Sequence, residues 1–461
     1  MAIIRDRSLL PDWNDIPPEM IRNCIQEHLK SVPRLDKLES YYLGKHPILA
    51  RNMDAKGLPN NRLVANHAKY ITDIAVGYVM GDPVKYGGDG IDDILEVFKR
   101  GDVVSHDAEL AKDLSIFGVG RELYYMTSDD NPYPRPALID PRQIFLVVDD
   151  TIEHLPLFGC HFYEKRDISN SIVGYYVNVY TEREVIHYLV KDLGSQTYEE
   201  LGREPHYFGG VPIVEFWNNE EQQGDFEQQI SLIDAYNVLM SDRVNDKEQL
   251  VDAILKLKGV SLGDDEEEAG RTIRLLKEYK VLELPSGQDA DAAWLIKNLS
   301  ESDVEVLRNA IRDDIHQFAM VPNLTDKNFA ANASGVAMKY KLLGLEQLAI
   351  IKERYFKKGL RKRLELFANI LRVKGKAVDV SDVTITMTRN LPANDMEAAQ
   401  MIATLRDMVS NQTLIGQLSF VDDPATENQI VEEEKERSAA RMAREFGMPM
   451  GDEGDVNAQE Q

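Results

Sequence analysis

From 225 to 258 the chain runs 34 residues without a glycine or a proline, and few folds can absorb such a run. Phe226, Ile230, Ile233, Asn237, Met240, Val244, Val251 and Ile254 recur at three-and-four spacing. That spacing predicts one amphipathic helix about 50 Å long at 1.5 Å per residue. Ser300, with Asp303 three residues on, forms a capping box for a second helix carrying Val304, Leu307, Ile311, Ile315 and Phe318. Two helices of opposite direction around a small insertion make a hairpin with a tip. So little chain surrounds this hairpin that its apolar stripe needs copies of itself for cover, which predicts a homo-oligomer.

The remaining segments read as α+β, mainly helical. Apolar residues at helical spacing predict helices from Met20 to Leu29, 66–80, 91–99 and 105–117, the second stopped by Gly81-Asp82-Pro83. From Arg121 the period changes to two. Short β runs are predicted at 122–126, 144–148, 158–163, 174–180, 185–190 and 212–216, a meander and not a regular βαβ alternation. The insertion 259–297 holds the run Asp264-Asp265-Glu266-Glu267-Glu268, a short helix near 273–279 and a strand-like 280–284. A polar loop, 321–335, leads into a long helix, 336–373, with bends expected at Gly344 and Gly359. Its basic middle (Lys352, Arg354, Lys357, Lys358, Arg361, Lys362, Arg363) reads as salt-bridging to acidic neighbours in preference to DNA binding. A strand at 383–387 and helices from 395 to about 446, capped by Asn394, complete the ordered chain, and 450–461 lacks anchoring apolar residues.

Catalytic motifs are missing from the sequence. There is no P-loop, H-E-x-x-H, EF-hand loop, G-x-S-x-G or kinase set, and two cysteines cannot build a disulfide framework. His154 and His161 are the one histidine pair near metal-ligand spacing, and core or surface packing is the better reading. Gly77 and Gly81 are expected to mark close helix packing. The 264–268 carboxylates read as a solvated, partner-docking tip, because neighbouring side chains in a loop diverge and rarely converge on one metal. No cofactor and no metal are expected. Charged residues at the N-terminus and the absence of a long apolar run predict neither signal peptide nor membrane partner. With 78 acidic against 53 basic residues the net charge is −25, which argues against tight wrapping on nucleic acid.

An ordered set of distinctive segments runs along the chain. Tyr41-Tyr42-Leu43-Gly44-Lys45-His46, Pro59-Asn60-Asn61-Arg62 and Asn66-His67-Ala68-Lys69-Tyr70-Ile71 come first. Gly77-Tyr78-Val79-Met80-Gly81-Asp82-Pro83, the stretch from Phe208 to Phe216 and Leu232-Ile233-Asp234-Ala235-Tyr236-Asn237 follow. The most specific are Pro322-Asn323-Leu324-Thr325-Asp326-Lys327-Asn328-Phe329 with Asn332 to Lys339, and Arg389-Asn390-Leu391-Pro392 closes the set. In this order the segments resemble the SPP1-type portal proteins of tailed bacteriophages, the head-to-tail connectors. The resemblance spans about 40–400 and implies the portal fold: an α/β meander wing, a long-helix stem, a small α/β clip, a kinked long helix and a helical crown.

By position it implies wing 1–224 and 336–393, stem helices 225–258 and 300–320, clip 259–299, tunnel loop 321–335, crown 394–449 and a disordered tail 450–461. It further implies a homo-oligomeric ring of about a dozen copies at one capsid vertex. Such a ring would be the channel for double-stranded DNA in packaging and ejection, without sequence specificity. Implied partners are the terminase large and small subunits, major capsid and scaffold proteins, and a head-completion adaptor. The protein would be made in the host bacterial cytoplasm and reside in the virion, and it would be no enzyme, ATP hydrolysis belonging to terminase.

Asn323, Thr325, Lys327 and Asn328 would touch DNA, and Asp264, Asp265, Glu266, Glu267 and Glu268 would dock terminase and connector. Asp234, Asp242, Asp246, Glu248 and Asp252 would make the stem acidic. An acidic wall lets a polyanion slide where many Lys–phosphate contacts would act as a brake. Two rival readings are a helical oligomeric scaffold or adaptor without a channel, and a metal-dependent nuclease using the 264–268 cluster.

Overall fold

The computed structural model describes residues 3–53, 59–250, 254–258, 265–279, 291–295, 301–324, 340–389, 395–406, 408–416, 418, 421 and 424–445. They fall into two compact units, Met1–Asn390 and Leu391–Gln461.

In the first unit β1 (Ile3–Arg5) is followed by α1 (Pro18–Leu29), α2 (Val32–Tyr42) and α3 (His67–Met80). Asn66 caps α3, its side chain accepting from the Lys69 amide at 3.0 Å. After β2 (Lys85–Gly87) come α4 (Asp92–Arg100) and α5 (Val103–Phe117). Gly118, at φ 81°, ends α5 in the left-handed conformation, where a Cβ would collide with the Gln222 carbonyl.

The meander holds β3 (Val119–Met126), β4 (Pro134–Ile139), β5 (Ile144–Asp149), β6 (Pro156–Arg166), β7 (Ile172–Tyr180), β8 (Glu184–Val190), β9 (Glu199–Pro205) and β10 (Ile213–Trp217). They form a six-stranded sheet, β1-β5-β6-β7-β8-β9, and a three-stranded one, β10-β3-β4. Neighbours pair antiparallel except β1 and β5. β4 and β9 are not predicted from the sequence, for opposite reasons. Pro134 and Pro136 argue against a strand, yet an edge position tolerates them. β9 is Glu-Glu-Leu-Gly-Arg-Glu-Pro, an edge strand with no apolar face to reveal it.

The expected 34-residue helix is shorter. A 3₁₀ turn at Glu227–Gln229 leads into α6 (Ile230–Leu250), and Ile254–Lys258 is instead strand β11. It pairs antiparallel with β12 (Asp291–Leu295), Ile254 opposite Leu295. Absence of glycine and proline permits a helix without demanding one, and Leu255-Lys256-Leu257-Lys258 carries the period of a strand. Between these strands α7 (Glu266–Tyr279) starts seven residues before the predicted helix, and 280–284 lies outside the described residues. α8 (Glu301–Phe318) runs back, and α9 (Leu343–Val373) and β13 (Thr384–Thr386), paired with β2, close the unit.

Gly359 in α9 marks a close approach: a Cβ there would lie 2.3 Å from two ring carbons of Phe216 on β10. Gly77, by contrast, is not a packing point, since a Cβ there meets nothing within 4 Å. The main core gathers α2–α5, β3, β10 and α9, with Phe367 edge-on to Phe98 and Tyr124, each at 5.4 Å. A second core seats Ile21, Cys24 and Ile25 of α1 on Phe145, Phe158 and Cys160 of the large sheet. Both cysteines are buried free thiols. Among the described residues the second unit holds α10 (Asp395–Leu405), α11 (Asn411–Ile415) and α12 (Pro424–Glu445), within the predicted helical segment.

Candidate functional site

The hairpin of α6 and α8 is antiparallel. Ile233 and Ile315 are buried at one end, and further out Arg243 donates to Glu305 at 3.0 Å. Along the flank of α6 lies an extended segment held by a polar ladder, and one of its rungs, Asn237, belongs to the set at three-and-four spacing. The Asn61 amide donates to Asn245 Oδ1 (2.7 Å), the Leu63 amide to Ser241 Oγ (2.9 Å) and the Ala65 amide to Asn237 Oδ1 (2.8 Å). Four helical residues rise about 6.0 Å and two extended residues about 6.6 Å, so acceptors at every fourth position meet amides at every second. The helix thus serves as a pairing edge. The signal in the sequence was Asn237-x-x-x-Ser241-x-x-x-Asn245, polar residues repeated at one helical face.

Two acidic stem candidates are engaged in the same region. Tyr41 donates to Asp234 at 2.7 and 2.9 Å, and Arg51 to Asp242 at 2.6 Å. Burial, then Asp234, push the Tyr41 hydroxyl pKa well up, so it stays a donor. Glu248 is exposed, Asp246 is half-buried and Asp252 lies outside the described residues.

At the other end of α8 the 321–335 loop begins on an aromatic cluster. The His316 ring lies against Tyr70 (5.3 Å) and His67 (5.5 Å), and His67 lies edge-on to Tyr236 of α6 at 4.9 Å. The Tyr70 hydroxyl donates to the Pro322 carbonyl (3.1 Å) and accepts from the Leu324 amide (2.9 Å). His316 Nδ1 meets the Val321 carbonyl at 3.1 Å. Burial, reinforced by the neighbouring His316, lowers the His67 pKa to about 4. Asn323 is half-buried at this root, while Thr325, Lys327 and Asn328 lie outside the described residues.

The acidic run at the tip is a helix start. Asp265 accepts from the Glu268 amide at 2.8 Å, and Glu266, Glu267 and Glu268 form the exposed first turn of α7. Carboxylates there are favoured by the helix dipole. Asp264 lies outside the described residues, and no metal-holding cluster of His, Cys, Asp or Glu occurs among the described ones. His154 Nδ1 meets the Asp149 carbonyl at 3.1 Å, and burial lowers the His161 pKa to about 4, as packing roles require.

The basic middle of α9 divides. Lys352 is buried, with Nζ 2.6 Å from both Asn218 Oδ1 and Asp225 Oδ2, which ties the approach to α6 onto α9. Arg363 is fully buried, 2.7 Å from Asp107 and paired with Glu122, which also meets His106 at 2.8 Å. Burial alone would raise the Glu122 pKa; Arg363 and His106 overcome it and hold the carboxyl down to about 2. Lys357 pairs with Glu353 and Lys362 with Glu365. The salt-bridging reading therefore holds for these four.

The family described as "Phage portal protein, SPP1 Gp6-like" matches residues 21–441. The portal protein of Clostridium phage phiCD119 is 25% identical over 456 residues, covering 93% of this chain and 98% of its own. The portal protein of Bacillus phage SPP1 is 26% identical over 449 residues, covering 91% and 87%. A solved structure titled "Neck of native GTA particle computed with C12 symmetry" aligns over 77% of this chain and 88% of its own, at 12% identity and TM-score 0.43.

Proposed function

The chain belongs to the SPP1 Gp6-like phage portal proteins, and from that premise we propose how its parts act in a tailed-phage virion. It is a portal protein, a virion component at the head-to-tail connection. About a dozen copies form a ring whose axial hole passes double-stranded DNA during packaging and ejection. The observation that carries this reading is the family match over 21–441, which includes the whole helical hairpin and its tip.

In this reading α6 and α8 line the stem, and the segment 259–299 is the clip that docks the terminase subunits and later the head-completion protein. Capsid and scaffold proteins meet the wing. The first turn of α7 offers Asp265, Glu266, Glu267 and Glu268, with Asp264, as an acidic docking edge. Residues 321–335 are the tunnel loop, with Asn323, Thr325, Lys327 and Asn328 following the DNA backbone without gripping it. Because Asp234 and Asp242 already hold partners in their own subunit, Glu248 and Asp252 carry more of the acidic wall. The motor's ATP hydrolysis is assigned to terminase, and this chain supplies the conduit.

Negative-stain microscopy of the purified protein tests this directly. Rings with an open axial hole are expected; monomers or dimers that never assemble at high concentration would overturn it.

A further inference from the structure

One long side of α9 is exposed among the described residues. Positions 343, 347, 351, 354, 358, 361 and 362 lie within about 100° of one another at 100° per residue. All are exposed, including Leu343 (53%) and Ile351 (41%), which stand in line with Arg354, Lys358, Arg361 and Lys362. The opposite side buries Leu345, Phe356, Leu360 and Phe367. The cations are only partly engaged. Lys362 pairs with Glu365 at 2.9 Å and the Lys358 ammonium lies 5.3 Å from the Trp217 ring centre. Arg354 and Arg361 have no carboxylate partner among the described residues. Beside the stripe opens a cleft of about 1200 Å³, walled in part by Trp217, Tyr355, Lys358 and Lys362.

Copies of a chain with net charge −25 repel one another. Contacts that close a ring join two different surfaces of the chain, so a concentrated cationic surface can meet a carboxylate-rich one on the next copy. We propose that the exposed stripe of α9 is one half of the contact between neighbouring copies of this chain. Leu343 and Ile351 form its apolar end, and Arg354, Lys358, Arg361 and Lys362 pair with carboxylates of the next copy, the cleft admitting side chains from it. This rests on the ring assembly proposed above and names the surface that the ring uses.

The test is sedimentation velocity of the wild type and of R354E/K358E/R361E at about 150 mM salt, with circular dichroism to verify folding. Wild-type rings and a variant whose association is weakened at least about tenfold are expected, with wild-type assembly itself weakening as salt rises. Variant rings at wild-type concentration and salt would overturn the inference and leave the ring reading standing. So would a variant that assembles normally but no longer retains DNA, which would make the stripe a nucleic-acid surface. A wild type that never assembles overturns both readings. If the triple variant misfolds, a benzophenone amino acid installed at Lys358 of the otherwise native chain decides: light-induced covalent multimers support the contact, and exclusively intramolecular products overturn it.

Discussion

The most informative single residues are polar ones that look misplaced. Asn237 is buried on α6, where it takes the Ala65 amide and donates to His46 Nδ1 at 2.9 Å. N237L fits the apolar periodicity but strands both partners, so unfolding by urea should reveal a loss of about 1–3 kcal/mol. A variant as stable as wild type would remove the ladder from the account. Tyr70 is exchangeable for Phe in volume and not in bonding. In Y70F the Leu324 amide loses its acceptor, and its hydrogen exchange should accelerate about fivefold, the equivalent of one ordinary hydrogen bond, while amides in the middle of α8 keep their protection. Beyond Leu324, the tunnel-loop role proposed for Lys327 and Asn328 predicts that Lys327→Glu and Asn328→Trp lower the yield of packaged DNA yet leave rings intact. Variants that fail to form rings would make the loop structural instead.

Among the elements, α9 organises the first unit by carrying both an interior and an exterior program. Gly359 lets β10 approach until the Phe216 ring occupies the place of a side chain. G359A should therefore destabilise by about 1–3 kcal/mol despite the better helix propensity of alanine, because a packed ring cannot move aside. Four residues on, Arg363 pairs with both Asp107 and Glu122, and R363M would take the guanidinium from both buried carboxylates, leaving Glu122 with His106 as its ion-pair partner, at a cost of about 3–5 kcal/mol. Thermal unfolding measures both. At the same scale, the end of α6 departs from its helical periodicity. Periodicity there supports either a helix or a strand, and only the presence of β12 opposite Ile254–Lys258 settles the choice.

For the molecule as a whole, acid should be destabilising. Burial lowers His28 to about 3 and lowers His67 and His161 to about 4, below their ordinary value near 6.5. Between those limits the unfolded chain binds protons that the folded one refuses, so stability is complete above about pH 6.5 and falls as pH drops toward 4. Asp113, raised by burial to about 7, acts the other way, since its folded carboxyl takes up a proton first. Three histidines outweigh one carboxyl, and the urea midpoint at pH 4.5 should lie below that at pH 7. An unchanged or higher midpoint would contradict this balance.

The sequence by itself determined which segments are helical where 3.6-residue periodicity ran past a capped start or a glycine stop, as in α3, α5 and α8. It fixed the change to period two at the meander, and the ordered motifs identified the family. These are local signals, written in neighbouring residues. What only the tertiary structure decided is where each polar group finds its partner. The ladder from Asn237 to Asn245, the Arg363 cluster, the role of Gly359 and the engagement of Asp234 and Asp242 all join residues far apart in the chain. A charge or amide in a sequence is the same letter whether water, a buried carboxylate or a distant backbone satisfies it. Folding chooses among them, because an unsatisfied buried polar group costs more than almost any local preference can offset.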